Sequence, residues 1–287
     1  MIHIPASIEI VPKQALESAE LPGLFPAGTS VYITDIGTDT ADDLTAAAKR
    51  VRDLGYTPVP HFACRRLTTR AALEDRVARA ANEAGVTDVL VIGGGLDKPA
   101  GEFASAMEVL DTGVFERNGI RSMGVAGHPE GSPDFSLDSA MQALREKQAY
   151  ADSTGIDVRI VTQFGFDPAK FIGWADSLRA EGINLPVHLG VAGPAKFPTL
   201  IKYAAMCGVG NSIDFLKKNA LSLTALAVGH NPEEVVGPIE ASSRRPSSPI
   251  TQIHVFPFGG LKKSSEWLVK RGTWDIKTSA YPSARYA

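Results

Sequence analysis

Short apolar runs alternate along the chain with longer stretches in which apolar positions return every three or four residues. The first pattern predicts strands and the second amphipathic helices. The runs lie at about Ile8 to Val11, Val31 to Thr34, Thr57 to Phe62, Asp88 to Ile92, Arg121 to Ala126, Val158 to Val161 leading into Thr162-Gln163, Val187 to Gly190, and Ile250 to Phe256. Helical spacing covers Ala41 to Leu54, Thr69 to Ala84, Glu102 to Leu110, Leu137 to Ser153, Pro168 to Ala180, Pro194 to Met206 and Leu261 to Val269, with a further segment at Ile213 to Lys218. Gly55, Gly85 and Gly182 stand where three of these helices should close.

Strand and helix alternating along nearly the whole chain predict an α/β fold, a single (β/α)8 TIM barrel over residues 1–287. The strand runs are nearly unbroken apolar, as strands covered on both faces should be. The length of 287 residues suits one such barrel, which typically takes about 250. An open, doubly wound sheet would place a glycine cluster after the first strand. The chain has Pro12-Lys13-Gln14 there, and its triple glycine, Gly93-Gly94-Gly95, follows the fourth strand. Residues 231–249, rich in Ser, Pro and Arg, are expected to form a mobile loop, and residues 275–287 an irregular tail.

A net charge of −3 leaves no electrostatic footprint for nucleic acid or an anionic membrane surface. No apolar stretch approaches the ~20 residues that span a bilayer. Two cysteines, Cys64 and Cys207, build no disulfide framework, and the N-terminal residues do not read as a signal peptide. A cytoplasmic protein is expected.

The stretch Ser7-Ile8-Glu9-Ile10-Val11-Pro12-Lys13 sets a carboxylate inside an apolar strand. That is costly unless the group is paired or protonated. The bland alternative is an edge strand with Glu9 facing water. In β/α barrels active sites lie at the C-terminal strand ends. The polar residues expected there are Glu9, Thr34, His61, Asp97, His128, Glu130, Gln163, His188 and His254. His61, His128, His188 and His254 raise the alternative of a metal, but none stands at a local ligand spacing, and no metal is expected. Gly93-Gly94-Gly95 allows close backbone approach to a phosphate or a flat ring, or is a plain turn.

In order along the chain, these stretches resemble the methylenetetrahydrofolate reductase family. SIEIVPK resembles its Ser-Phe-Glu-Phe-(Phe)-Pro-Pro-Lys opening, and Pro60 to Cys64 its Pro-His-(Leu/Ile)-Thr-Cys. VIGGG with LDKPAG resembles the Leu-Arg-Gly-Asp-x-Pro loop. Ala126 to Asp134 resembles Ala-(Gly/Ala)-Tyr-Pro-Glu-x-His-Pro-Glu, and Leu144 to Lys147 the Leu-Lys-x-Lys helix. Thr162 to Asp167 is nearly identical to Thr-Gln-(Phe/Leu)-x-(Phe/Tyr)-Asp, and HVFPF at His254 stands where His-Phe-Tyr-Thr-Leu-Asn is expected.

The resemblance implies an oxidoreductase in which NADH or NADPH reduces FAD, and the flavin passes hydride to 5,10-methylenetetrahydrofolate to give 5-methyltetrahydrofolate, or the reverse. It implies Glu9 as general acid at folate N10 and Gln163 at folate and flavin. Phe166 would contact substrate, and Thr34, His61, Gly94, Asp97, His128 and Lys147 would line the FAD. The partners implied are tetrahydrofolate derivatives and further copies of the chain in a homo-oligomer. Departures from the family pattern fall on the flavin side. The loop aspartate is replaced by Gly95, with Asp97 two residues later; the preceding arginine by Gly93; the tyrosine by His128; a histidine by Ser132; and two helix contacts by Ala140 and Ala143. These changes thin the expected flavin contacts and leave a rival open: a flavin-free folate-binding barrel, either a methyl-transfer enzyme or a non-catalytic subunit.

Overall fold

A computed structural model describes residues 3–132, 135–209 and 229–276. Eight parallel strands close into a barrel in sequence order. They are β1 (Ala6–Ile10), β2 (Ser30–Ile33), β3 (Thr57–Ala63), β4 (Asp88–Ile92), β5 (Ser122–Gly127), β6 (Asp157–Gly165), β7 (Val187–Ala192) and β8 (Ile250–Phe256). β1 pairs with both β2 and β8, so it has no free edge, and Glu9 is not an edge-strand residue.

The helices are α1 (Pro12–Glu17), α2 (Ala41–Asp53), α3 (Arg70–Ala84), α4 (Ala106–Leu110), α5 (Val114–Arg117), α6 (Leu137–Thr154), α7 (Pro168–Ser177), α8 (Phe197–Met206), α9 (Glu233–Ser243) and α10 (Leu261–Lys270). Their ends follow local chemistry. Pro12 ends β1 by opening α1 at its first turn, where its missing N–H costs nothing. Thr40 and Asp43 form a capping box on α2, and Asp167 caps α7 through the N–H groups of Ala169 and Lys170. Gly85 and Gly155 close α3 and α6 with left-handed φ of 64° and 70°.

Two expectations need correction. Residues 231–249 are not a loop, because α9 occupies most of that span. Val235, Val236 and Ile239 are buried, and the helix packs on α7 and β8. Burial of that face outweighs the break introduced by Pro238. The helix expected over 102–110 is shortened to α4 at 106–110, and a second short helix, α5, follows it after Gly113 at φ 66°. The segment at Ile213 to Lys218 and the tail beyond residue 276 lie outside the described residues.

Most of the core lies between strands and helices, built from outward-facing residues such as Ile8, Ile10, Val31, Ile33, Phe62 and Val91. The barrel interior holds a much smaller apolar set, Tyr32, Val59, Leu90 and Val161. Strand register places Glu9 beside Tyr32, Tyr32 beside Val59, His61 beside Leu90, Leu90 beside Gly124, and Gly124 beside Arg159. These positions share the inner face. Gly124 belongs there because a Cβ would come within 2.8 Å of Leu90 and 3.0 Å of Val161.

Candidate active site

A column of polar side chains runs up the inside of the barrel. At its base the Arg159 guanidinium, on β6, donates through Nη1 to Asp88 Oδ1 at 3.0 Å and to Ser122 Oγ at 2.8 Å. Its Nε and Nη2 donate to the Tyr32 hydroxyl at 2.9 and 2.7 Å. Above it, the Tyr32 ring lies 4.4 Å from that of His254 and 6.1 Å from that of His61. The two imidazoles converge on one carboxyl oxygen, Glu9 Oε2, at 3.4 Å from His254 Nε2 and 3.8 Å from His61 Nε2. Ser7, one inward step below Glu9 on β1, meets His254 Nδ1 with its hydroxyl at 3.0 Å.

Glu9 keeps 18% of its side chain exposed, whereas His254 beneath it is closed off. Solvent therefore reaches the carboxyl from the C-terminal mouth. The dry surroundings decide the protonation states. Burial raises the Glu9 pKa, partly opposed by His61. Burial pushes His61 down to about 4 and His254 down to about 3, the latter helped by Arg159. Although the spacing resembles ion pairing, burial shifts the acid and both imidazoles alike toward their neutral forms. Tyr32, buried over Arg159, is pushed up to about 12.

Gln163 sits where β6 bulges. Val161 pairs with His188, but Phe164 pairs with Gly190, so β6 carries one residue more than β7 between those rungs. Gly190 makes this possible: a Cβ there would lie 2.5 Å from the Thr162 carbonyl oxygen and 2.7 Å from the Gln163 carbonyl carbon. The half-buried Gln163 side chain accepts the Phe164 N–H through Oε1 at 3.1 Å, and the Thr162 hydroxyl accepts from Gly190 N–H.

The other expected residues distribute unevenly. The Thr34 hydroxyl is buried at the end of β2 without a hydrogen-bond partner. Lys147, on α6, is 8% exposed, and burial lowers its pKa; no anion pairs with it among the described residues. Gly94 adopts φ 76°, and a Cβ there would come within 2.9 Å of the Ala63 side chain, while a Cβ on Gly93 or Gly95 would meet nothing within 4 Å. Asp97 is exposed. The His128 ring stands edge-on to Phe135 at 4.9 Å. Phe166 is fully buried, against Phe164 and His230. His188 faces the lower interior, its Nδ1 unpartnered, and burial pushes it down to about 3. Among the described residues no group of three or more His, Cys, Asp or Glu side chains is placed to hold a metal ion. No described helix is long and apolar enough to cross a membrane.

Sequence reasoning missed Ser7, Tyr32, Asp88 and Arg159. The signal for Arg159 was the same as for Glu9, a charge at an inward position of an apolar strand.

Comparison with known proteins adds an independent line. Residues 19–218 match the family model of methylenetetrahydrofolate reductase; that span excludes β1 and Glu9. The chain is 31% identical over 179 residues to methylenetetrahydrofolate reductase 1 of Schizosaccharomyces pombe, covering 59% of this chain and 28% of the yeast protein. It is 26% identical over 156 residues to methylenetetrahydrofolate reductase 2 of Saccharomyces cerevisiae, covering 52% and 25%. The chain thus matches about a quarter of the length of these curated relatives. Its fold resembles an uncharacterized Clostridium thermocellum protein, described as binding two copies of 5-methyl-5,6,7,8-tetrahydrofolic acid, with a TM-score of 0.62, 10% identity and 95% of both chains covered. At that identity the likeness speaks to the fold. With the family model covering most of the chain, the protein belongs to the methylenetetrahydrofolate reductase family.

Proposed function

We propose that this chain interconverts 5,10-methylenetetrahydrofolate and 5-methyltetrahydrofolate, with Glu9 as the general acid and base. The observation that carries this reading is the Glu9 carboxyl, dry yet open to the barrel mouth, with neutral imidazoles beneath it. Methylenetetrahydrofolate holds its one-carbon bridge between N5 and N10. Protonation of N10 turns that nitrogen into a leaving group, and the ring opens to a 5-iminium cation able to accept hydride. The acid must hold its proton near physiological pH in order to give it, and burial shifts the Glu9 pKa in that direction. The anion left behind then faces the cation across a dry gap, which favours both. Gln163, placed by the β6 bulge, offers an amide to the pterin. The folate ligand reported for the structural neighbour supports the substrate class.

The family implies FAD, and the residues present fit such a group. A phosphate-bearing flavin needs a cation, hydroxyl donors and open backbone. Lys147 brings a buried ammonium without a salt bridge among the described residues, Thr34 a buried hydroxyl without a hydrogen-bond partner among them, and Gly93 and Gly95 open faces beside the end of β4. Lys147, Thr34 and the backbone of residues 93–95 would hold the cofactor. When bound, the flavin would supply two-electron hydride exchange with NADH or NADPH. The reading also places the enzyme in the cytosol, as a homo-oligomer.

The deciding experiment is Glu9→Gln, assayed for folate turnover with NADH or NADPH, with FAD added, and for binding of 5-methyltetrahydrofolate. Turnover should fall by about 10²–10⁴, the usual worth of general acid catalysis, while binding is largely kept. Undiminished turnover would overturn the role of Glu9; an unmodified chain that binds 5-methyltetrahydrofolate and shows no turnover would favour a folate-carrying protein.

A further inference from the structure

We propose that Ser7 and His254 form a relay that holds Glu9 as a neutral acid: Ser7 fixes the His254 proton on Nδ1, leaving the Nε2 lone pair to accept the Glu9 O–H. The proposal deepens the reading above, since it assumes that Glu9 is the group that gives the proton. Both are positioning residues; each is fully buried and acts through Glu9.

The available donors set the direction of each hydrogen bond. The Ser7 hydroxyl has one proton and two neighbours, the Ile253 carbonyl oxygen at 3.5 Å and His254 Nδ1 at 3.0 Å. The carbonyl can only accept. Donation to it makes the hydroxyl oxygen the acceptor for His254 Nδ1–H, and all three groups are satisfied. The imidazole is neutral in this dry position, so one proton on Nδ1 leaves Nε2 bare. Nε2 faces Glu9 Oε2 at 3.4 Å. A carboxylate there would set two lone pairs against each other; a carboxylic acid completes the chain. The 3.4 Å spacing is long, as such contacts often are before substrate closes the site. His61 cannot take the same part, since its Nε2 stands 3.8 Å away and has no hydrogen-bond partner.

The surroundings do not compete. Glu9 is faced by His61 of β3, Tyr32 of β2 and His254 of β8, and the Cys207 thiol after α8 lies within electrostatic range. His254 is faced by the Tyr32 and Phe256 rings, and feels Arg159 of β6. Arg159 spends its donors on Asp88, Ser122 and Tyr32. Its positive charge keeps a second proton off His254 without reaching Glu9 by any hydrogen bond.

The test reads protons directly and needs no turnover. Nitrogen-15 spectra of the wild-type histidines, with the His254 signals assigned through His254→Gln, should show the Nδ1–H tautomer. Carbon-13 titration of the Glu9 carboxyl, assigned through Glu9→Gln, then compares Ser7→Ala with Ser7→Thr. Without the hydroxyl, His254 is free to move its proton to Nε2 and donate to the carboxylate. That favours the charged form and should lower the Glu9 midpoint by about one pH unit. Ser7→Thr keeps the hydroxyl and should titrate as wild type. An Nε2–H tautomer in the wild type, or an unmoved midpoint in Ser7→Ala, would overturn the proposal. Should Ser7→Ala fail to fold, the wild-type tautomer decides alone. Turnover retained in Glu9→Gln would defeat the functional reading and leave the tautomer result standing, so the two failures are distinguishable.

Discussion

Glu9 and Lys147 carry opposite charges into dry surroundings, and their neighbours give them different fates. Glu9 has two imidazoles within 4 Å, and His254 Nε2 stands close enough to partner its neutral form. For Lys147, burial outweighs the support drawn from the Glu146 charge, so its folded state bears a net cost. Its pKa is depressed below the ordinary 10.5. The folded state therefore binds this proton more weakly than the unfolded chain, and the Lys147 contribution to stability improves as pH rises toward 10.5. Replacing it with Met should raise the midpoint of thermal unfolding at neutral pH, because the cost disappears while the apolar stem is kept. The same variant should retain flavin less well after gel filtration. A lower melting temperature with unchanged flavin content would remove Lys147 from the cofactor site and give it a hidden structural partner.

At the scale of elements, the bulge in β6 shows a site feature made by two strands together. Gly190 on β7 leaves the space into which the Thr162-Gln163 backbone swells. Gly190→Ala should push that backbone aside, cost about 1–3 kcal/mol as overpacking does, and weaken 5-methyltetrahydrofolate binding in a fluorescence titration. Gly173→Ala on α7, where a Cβ meets nothing within 4 Å, is the control and should be neutral or stabilising by about 0.4–1 kcal/mol. Equal effects of the two would detach the bulge from binding. The strands themselves were legible because each is covered on both faces and its apolar run is unbroken. The bulge was not, since Thr162-Gln163 reads as a strand end and its cause lies 27 residues on, at Gly190, by sequence numbering. α9 was hidden by Pro238 and the Ser-Arg-Pro residues after it, while the burial of Val235, Val236 and Ile239 depends on α7, which no local window contains. Tyr32 and Arg159 escaped notice for a related reason. A tyrosine in an apolar strand reads as core, and only barrel closure brings β2 and β6 side chains together across the interior.

Across the whole molecule, the interior column is a set of groups held neutral or paired by one another. Arg159 is the member whose loss would be felt furthest. Arg159→Met would leave Asp88 buried without its cation and the Tyr32 hydroxyl without donors. Breaking such a pair typically costs about 3–5 kcal/mol, and adding Asp88→Leu should restore part of it in urea unfolding. The histidines give the column a pH signature. His61, His188 and His254 have folded-state pKa values of about 4, 3 and 3 against an ordinary 6.5. Below 6.5 the unfolded chain takes up protons that the folded chain refuses, so stability is fully present above 6.5 and drains as pH falls toward 4. Each fully refused proton costs at most about 1.4 kcal/mol per pH unit across that window. Glu9 and Asp88 act in the opposite sense: burial raises both, so their protonation relieves a folded-state cost as pH drops. Three histidines against two carboxyls leave a net fall on the acid side. Glu9→Gln removes one of the opposing carboxyls and should steepen that fall, while His188→Gln removes a resisting imidazole and should flatten it. Unfolding free energies measured at pH steps from neutrality down to about 4 test all three slopes at once. A flat wild-type profile would mean that water enters the barrel and solvates the histidines, and the neutral-acid state of Glu9 would lose its physical basis with them.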